Sequence, residues 1–237
     1  MFPYYGAKWR LSAAYSPPAF DAIVEPFAGS ACYALRHYRK RVHLYDINPV
    51  IVGVWDYLIN SSEREILALP KDVPETVGDL PVCQEAKWLI GFWINPASAA
   101  PRNAPTSWAR YGRPQSSGPT NSWFNPGMRR RVARQSRLIK HWTVTEGSYG
   151  CAPNIDATWF VDPPYQRAGK HYVFSDVDYT RLGHWCESRR GHVIVCENEG
   201  ADWLPFQRFK ATAGAVPGKQ SNEVIWERGQ SQMRLAL

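Results

Sequence analysis

Two strand–turn–helix units follow one another within residues 1–60, and this pairing limits the fold more than any other feature of the chain. AIVEPF (22–27) is an apolar run ending in the small residues Ala28, Gly29, Ser30 and Ala31, with a helical stretch after it over residues 32–39. VHLYD (42–46) alternates like a second strand, and Pro49 opens a further apolar helix. Proline suits the first helical position because the amide hydrogen it lacks is one that a helix leaves unpaired there. Strands separated by helices pair in parallel, since the chain crosses back over the sheet before each new strand. The pattern resumes at ATWFVD (157–162), passes through a helix over DYTRLGHWCESRR and a strand HVIVCE, and ends in FQRFKA and EVIWER, a closing antiparallel pair. The expected fold class is α/β, with an open and mostly parallel sheet.

The middle of the chain differs in composition. QEAKWLIGFWI reads as one apolar helix with Trp88, Phe92 and Trp93 in the core. Residues 95–126 are rich in Pro, Ser, Asn, Gly and Arg and carry Trp108, Tyr111, Trp123 and Phe124. A loop this long inside a compact domain is functional or disordered rather than a connector. MRRRVARQSRLIKHW follows as a basic helix over 128–142, with Arg130, Arg134 and Arg137 on one face. Such a face either meets a polyanion or is simply solvated.

Lys and Arg number 28 against 21 Asp and Glu, a net charge of +7 that fits a polyanionic partner without requiring one. The five cysteines are scattered and form no C-x-x-C pair, which argues against a zinc site or a disulfide framework and for a reducing compartment. No histidine spacing suits a metal, and none is expected. No apolar run approaches the ~18 residues of a membrane span, and MFPYYGAKWR lacks the layout of a secretion signal. A soluble, cytoplasmic protein is the expectation.

The sharpest chemical feature is Asp162-Pro163-Pro164-Tyr165, directly after a predicted strand. In a doubly wound sheet, ligands sit beyond the carboxyl ends of the strands. An aspartate oxygen and the Pro163 carbonyl there can accept both hydrogens of an exocyclic amino group, with Tyr165 offering a ring on which a flat base stacks. The plain alternative is a turn with a capping Asp. The run VEPFAGSACYAL joins strand to helix through residues small enough for backbone to approach a ligand, or merely for strand and helix to pack tightly. Asp46 ends the next strand, where an acidic residue commonly takes ribose hydroxyls, or where it would cap the helix beginning near Pro49. Together these features favour a nucleoside-bearing cofactor.

FPYYGAK, VEPFAGS, YDINP and DPPY, in this order and with a variable stretch before the last, make the chain resemble the Dam-type DNA adenine methyltransferases of the α arrangement. The resemblance covers residues 2–60 and 142–227. It implies a Rossmann-like S-adenosylmethionine-dependent methyltransferase sheet, with residues 1–60 and 143–237 as the catalytic domain and residues 61–142 as an inserted DNA target-recognition region. Its implied reaction moves a methyl group from S-adenosyl-L-methionine to adenine N6 in double-stranded DNA. By position, Tyr4 and Lys8 touch the cofactor, Phe27, Ala28, Gly29 and Ser30 line it, Asp46 with Ile47 holds its ribose, and Ser148 and Tyr149 lie near its adenine. Asp162, Pro163, Pro164 and Tyr165 hold the target base, with Asp162 also beside the cofactor. Arg102, Arg110, Tyr111, Arg113, Arg130, Arg134, Arg137, Lys170 and His171 are the candidate DNA contacts. Three positions depart from the family pattern: Ala7 and Ala31 stand where glycine is usual, and Ser148 where an aspartate is usual.

The chemistry agrees with that resemblance. An amino nitrogen conjugated to a ring is a poor nucleophile, and acceptors on both its hydrogens localise its lone pair, a matter of positioning and electrostatics. A ring-carbon cytosine methyltransferase needs a Pro-Cys nucleophile, which the chain lacks. Cytosine-N4 methylation and a non-catalytic DNA-binding homologue are the alternatives. A monomer or weak dimer, acting alone or beside a restriction endonuclease, is the expected context.

Overall fold

The computed structural model describes residues 1–73, 75–94, 98–105, 125–167, 171–213 and 220–229. Arg110, Tyr111, Arg113 and Lys170 lie outside the described residues, as do Trp108, Trp123 and Phe124.

The chain opens with β1 (Ala22–Glu25), α1 (Cys32–Arg36), β2 (Arg41–Asp46) and α2 (Pro49–Asn60). Three more helices, α3 (Glu63–Ala68), α4 (Gln84–Ile94) and α5 (Pro126–Arg137), precede β3 (Thr143–Glu146). The last part is β4 (Ala157–Val161), α6 (Tyr179–Glu187), β5 (Gly191–Asn198), β6 (Gln207–Ala213) and β7 (Gln220–Arg228). The seven strands form one sheet in the order β3-β2-β1-β4-β5-β7-β6. Strands β1 to β5 run parallel, and β7 runs antiparallel to both β5 and β6. This is the Rossmann-like α/β sheet expected from the sequence, closing hairpin included.

Successive residues of the central strands serve opposite faces, as the pleat requires. Ile23 and Phe160 belong to one buried cluster with Trp55, Phe92 and Val132, while Val24, Trp159 and Val161 belong to the other with Val193 and Leu182. Helices α2, α4 and α5 thus share a core on one face, and α6 covers the second. The described helices of the middle segment are built into that first core: Trp93 and Met128 are buried in it with Phe2 and Trp55. No helix among the described residues is long and apolar enough to cross a membrane.

Several elements differ from the sequence expectation. Helix α1 stops at Arg36, because the Lys40 amide bonds to the His37 carbonyl and the Lys40 ammonium pairs with Asp21, turning the chain into β2. Helix α5 ends at Arg137 rather than running on to Trp142. The Leu138 amide bonds back to the Gln135 carbonyl and the Trp142 amide to the Ile139 carbonyl, a turn that leads into β3. Strand β3 is absent from the sequence expectation. TVTE has no fully buried residue and is a strand because it borders β2, with His43 opposite Thr143 and Val144 packed against the core. Helix α6 is likewise shorter than the expected 178–190, with Ser188 bonding back to His184.

Candidate functional site

The sheet order reverses beside β1: β2 and β3 extend to one side, β4 and β5 to the other. At the carboxyl ends of β1, β2 and β4 lies a cavity of about 600 Å³. It brings together Tyr4 and Lys8 from the chain's start, Phe27 to Ser30 after β1, and Asp46 and Ile47 after β2. Ser148 and Tyr149 after β3 and Asp162 and Pro164 after β4 complete that set. Pro163 and Tyr165 do not contribute to the wall, nor do Arg102, Arg130, Arg134 and Arg137. His171 stands just outside it, its ring 5.5 Å from that of Tyr5.

The loop after β1 is fixed by its surroundings. The Ala28 amide donates to the Tyr45 carbonyl at 2.9 Å, and the Trp55 indole donates to the Gly29 carbonyl at 2.8 Å. Gly29 has φ 42°, and a Cβ there would stand 3.3 Å from the Tyr4 ring. Ala31 is also left-handed, with φ 45° and ψ 47°. Alanine adopts that conformation at a cost of about 1–2 kcal/mol. Its side chain cannot cap α1. Glu25, buried at the end of β1, does so instead by accepting from the Ala34 amide at 2.6 Å, and burial holds its carboxyl well above the usual range.

Asp46 joins the first two loops. Its Oδ2 accepts from the Gly29 amide at 3.0 Å and its Oδ1 from the Asn48 amide at 2.9 Å. The cap of α2 is therefore Asn48, whose Oδ1 accepts from Val50, and not Asp46. Burial raises the Asp46 carboxyl to about 6, with the two amides pulling the other way. Each oxygen retains a second lone pair, since a carboxylate offers about four acceptor sites.

Asp162 follows β4 and faces Lys8, with Nζ to Oδ1 3.3 Å. The Lys8 ammonium lies 3.8 Å from Glu223 on β7 and 4.5 Å over the Tyr165 ring, and donates to the Gly6 carbonyl at 3.2 Å. One face of the ring expected to stack on a base thus carries an ammonium. Burial disfavours the charge of Lys8, but Asp162 and Glu223 outweigh it and raise its pKa. Burial raises Asp162 as well, against the opposing pull of Lys8.

The tetrapeptide is held on several sides. The Tyr179 hydroxyl donates to the Pro164 carbonyl at 2.7 Å, the Tyr165 hydroxyl to Glu223 at 2.5 Å, and the Gln166 amide to Glu197 at 3.0 Å. Among the described residues, no donor is bonded to the Pro163 carbonyl. The Pro163 carbonyl is therefore an open acceptor, and Asp162 at the cavity wall keeps lone pairs beyond its contacts with Lys8 and Tyr165.

Rings form the remaining walls. Phe27 and Tyr149 stack with centroids 5.7 Å apart, and Tyr149 meets Trp185 edge-on at 5.2 Å. Tyr172, from the loop after β4, donates its hydroxyl to the Tyr5 carbonyl at 3.4 Å. Gly6 makes room for it, since a Cβ there would come within 2.0 Å of that hydroxyl.

Motif spacing does not point to Glu197 or Glu223, and Glu25, although inside VEPFAGS, is given no role by it. Glu25 does leave a signal in the sequence, an acidic residue at the end of an otherwise apolar strand. Glu223 leaves none, because in NEVIWE it stands at the polar start of an apolar run, with nothing local to mark it as buried.

No protein-family model matches the chain, and no curated protein matches it. Among solved structures, a conserved hypothetical protein of Streptococcus pyogenes is similar at 10% identity and a TM-score of 0.34, over 86% of this chain and 84% of that one. The rRNA methyltransferase aviRa from Streptomyces viridochromogenes is similar at 14% identity and a TM-score of 0.40, over 92% and 84%. At such scores these likenesses carry no argument about activity.

Proposed function

We propose that this chain is a DNA adenine-N6 methyltransferase that uses S-adenosyl-L-methionine. The observation that carries this reading is the meeting, around one cavity, of a ribose-type acceptor and an amino-group acceptor. Asp46 sits against the Gly29 amide, and Asp162 lies beside the open Pro163 carbonyl.

The residues present fit the cofactor. A cavity of about 600 Å³ lies within the range of small-molecule sites. Asp46 has lone pairs to spare for two ribose hydroxyls, the left-handed loop at Gly29 leaves its wall free of a side chain, and Phe27 and Tyr149 present ring faces for an adenine. When bound, the cofactor supplies an electrophilic methyl group on a sulfonium. Ser148 offers a neutral hydroxyl where the family usually has a carboxylate.

The chain's own part is to orient the acceptor nitrogen. Asp162 takes one amino hydrogen and the Pro163 carbonyl the other, which turns the nitrogen lone pair toward the methyl carbon. As the new N–C bond formed, the methyl carbon's bond to the sulfonium would break and leave a neutral thioether, and the surplus proton on nitrogen would pass to an Asp162 oxygen, a carboxylate whose burial already favours protonation. Such positioned acceptors act mostly by preorganisation. A base within a duplex reaches this site only by leaving the stack. We assign residues 61–142 to target recognition, with Arg102, Arg110, Tyr111, Arg113, Lys170 and His171 near the base and Arg130, Arg134 and Arg137 on phosphates.

The test is to incubate the protein with S-adenosylmethionine and unmethylated DNA, hydrolyse the product to nucleosides and identify the modified base by mass. N6-methyladenine is the expected product. N4-methylcytosine would move the assignment to the other amino base, and unmodified DNA bound by the protein would make it a non-catalytic binder.

A further inference from the structure

Glu223 belongs to none of the motifs that carry the resemblance. It comes from β7, the strand that runs against the direction of its neighbours, where it lies opposite Asn198 of β5. Its side chain is 6% exposed, and a carboxylate is rarely buried without a partner. Here it has two, each from a different part of the chain. Oε2 accepts from the Tyr165 hydroxyl at 2.5 Å, and Oε1 lies 3.8 Å from the Lys8 ammonium. Lys8 in turn is 3.3 Å from Asp162 and 7% exposed. One ammonium is thus shared by two carboxylates, the partly exposed Asp162, which borders the cavity, and the buried Glu223, which does not.

Resting on the amino-methyltransferase reading above, we propose that Glu223 is a positioning residue of the reaction. It carries the ammonium of Lys8 and the hydroxyl of Tyr165, so that Asp162 can turn its oxygen to the target amino group. The argument is one of competition. An amino group bonded to Asp162 and the Lys8 ammonium seek the same carboxylate. Were Asp162 the only anion present, Lys8 would hold it at full charge, and the incoming amino group would have to displace a charge-assisted contact. With Glu223 in place, the ammonium keeps a charged partner whichever way Asp162 turns. The bond from Tyr165 anchors Glu223 and fixes the ring under Lys8, which confines the ammonium to the space between the two carboxylates. Glu223 touches neither base nor cofactor.

The groups that face Glu223 define how its charge is read out. They are Lys8 from the chain's start, Asp162, Tyr165 and Tyr172 after β4, Cys196 on β5, and Tyr15. Lys210, opposite it on β6, points to solvent. Asp162 is the group whose ionisation the reaction uses, and a second negative charge close by makes that ionisation harder.

The experiment compares wild type with Glu223→Gln and Glu223→Asp, using unmethylated genomic DNA and S-adenosylmethionine, and follows kcat across pH together with cofactor affinity by calorimetry. In Glu223→Gln, kcat should fall at least tenfold at neutral pH while the cofactor Kd stays within about twofold. The acid limb of the kcat profile should move to lower pH, because the repelling charge is gone and Lys8 serves Asp162 alone. Glu223→Asp should lie between. A lower plateau with its acid limb at lower pH is a pair of changes that loss of packing does not produce. Wild-type kcat and acid limb in a folded Glu223→Gln protein overturn the proposal. If that variant does not fold, wild-type values in Glu223→Asp overturn it equally. A failure of the underlying reading shows separately, as wild-type protein that methylates no amino base in the same digest.

Discussion

The Asp46 carboxylate accepts the amide hydrogen of Gly29 at 3.0 Å and so ties the carboxyl end of β2 to the loop after β1. With its other oxygen on Asn48, this one side chain ties together two walls of the cavity. Asp46→Ala should weaken S-adenosylmethionine binding by one to two decades, as charge-assisted bonds worth roughly 1.5–3 kcal/mol are lost. Calorimetric titration decides this, and unchanged affinity would place the ribose elsewhere.

Burial of Asp46 also gives a pH dependence with a definite sign. Its carboxyl is raised from 3.8 to about 6 in the folded chain. The folded protein therefore holds this proton more tightly than the unfolded one between those values. The contribution of Asp46 to folding stability is greatest below pH 3.8 and is lost as pH rises through about 6. Cofactor binding runs the other way, since ribose hydroxyls need the ionised acceptor. We expect the cofactor Kd to be flat above pH 6 and to weaken below it, a trend that Asp46→Ala should abolish.

Asp162→Ala should reduce methyl transfer by about a hundredfold or more, the usual loss when a group aimed at developing charge is removed. The fold should survive, because Lys8 keeps Glu223 as its partner. Turnover assayed beside thermal melting separates the two effects. Undiminished turnover in a folded variant would sink the mechanism.

Ala31→Gly relieves a left-handed alanine, with the loss of a buried methyl group and a freer unfolded chain set against that relief. These effects nearly cancel, so its stability should lie within about 0.5 kcal/mol of wild type. Ala34→Gly, in the helical part of α1, should lose about 1–2 kcal/mol. Urea midpoints of the two variants, measured side by side, test the contrast.

The arginines of α5 should not be equivalent. Arg137 sits at the helix end that feeds β3, hence toward the amino-terminal edge of the sheet, while the cavity is at the carboxyl-terminal edge. Arg130 lies near the other end of the helix, and the side chains of Arg130, Arg134 and Arg137 are exposed. If they form a phosphate stripe, Arg130→Ala should flatten the salt dependence of log K by about 0.9, and Arg137→Ala by less. Equal slopes in all variants and wild type mean the face is only solvated.

The elements readable from sequence are those whose burial is written into neighbouring residues. AIVE and ATWFV are buried at every position, so each reads as a central strand, and the residues directly after them fall at the cavity. TVTE is exposed along nearly its whole length and is held as β3 by its pairing with β2 and the packing of Val144 on the core, which no local pattern encodes. The same distinction applies within the site. Asp46 and Asp162 announce themselves by ending apolar strands. Glu223 reaches Tyr165 because β7 pairs with β5 in a particular register, a relation between residues 58 positions apart.

The loop after β1 has its polar backbone groups committed before any ligand arrives: the Ala28 amide to Tyr45, the Gly29 amide to Asp46 and the Gly29 carbonyl to Trp55. A cradle braced in this way cannot reshape itself around an imperfect guest. Selectivity then becomes a matter of exclusion: a 2′-deoxy analogue leaves the spare lone pairs of Asp46 without their hydroxyl donor, and a 2′-O-methyl analogue meets backbone that will not yield.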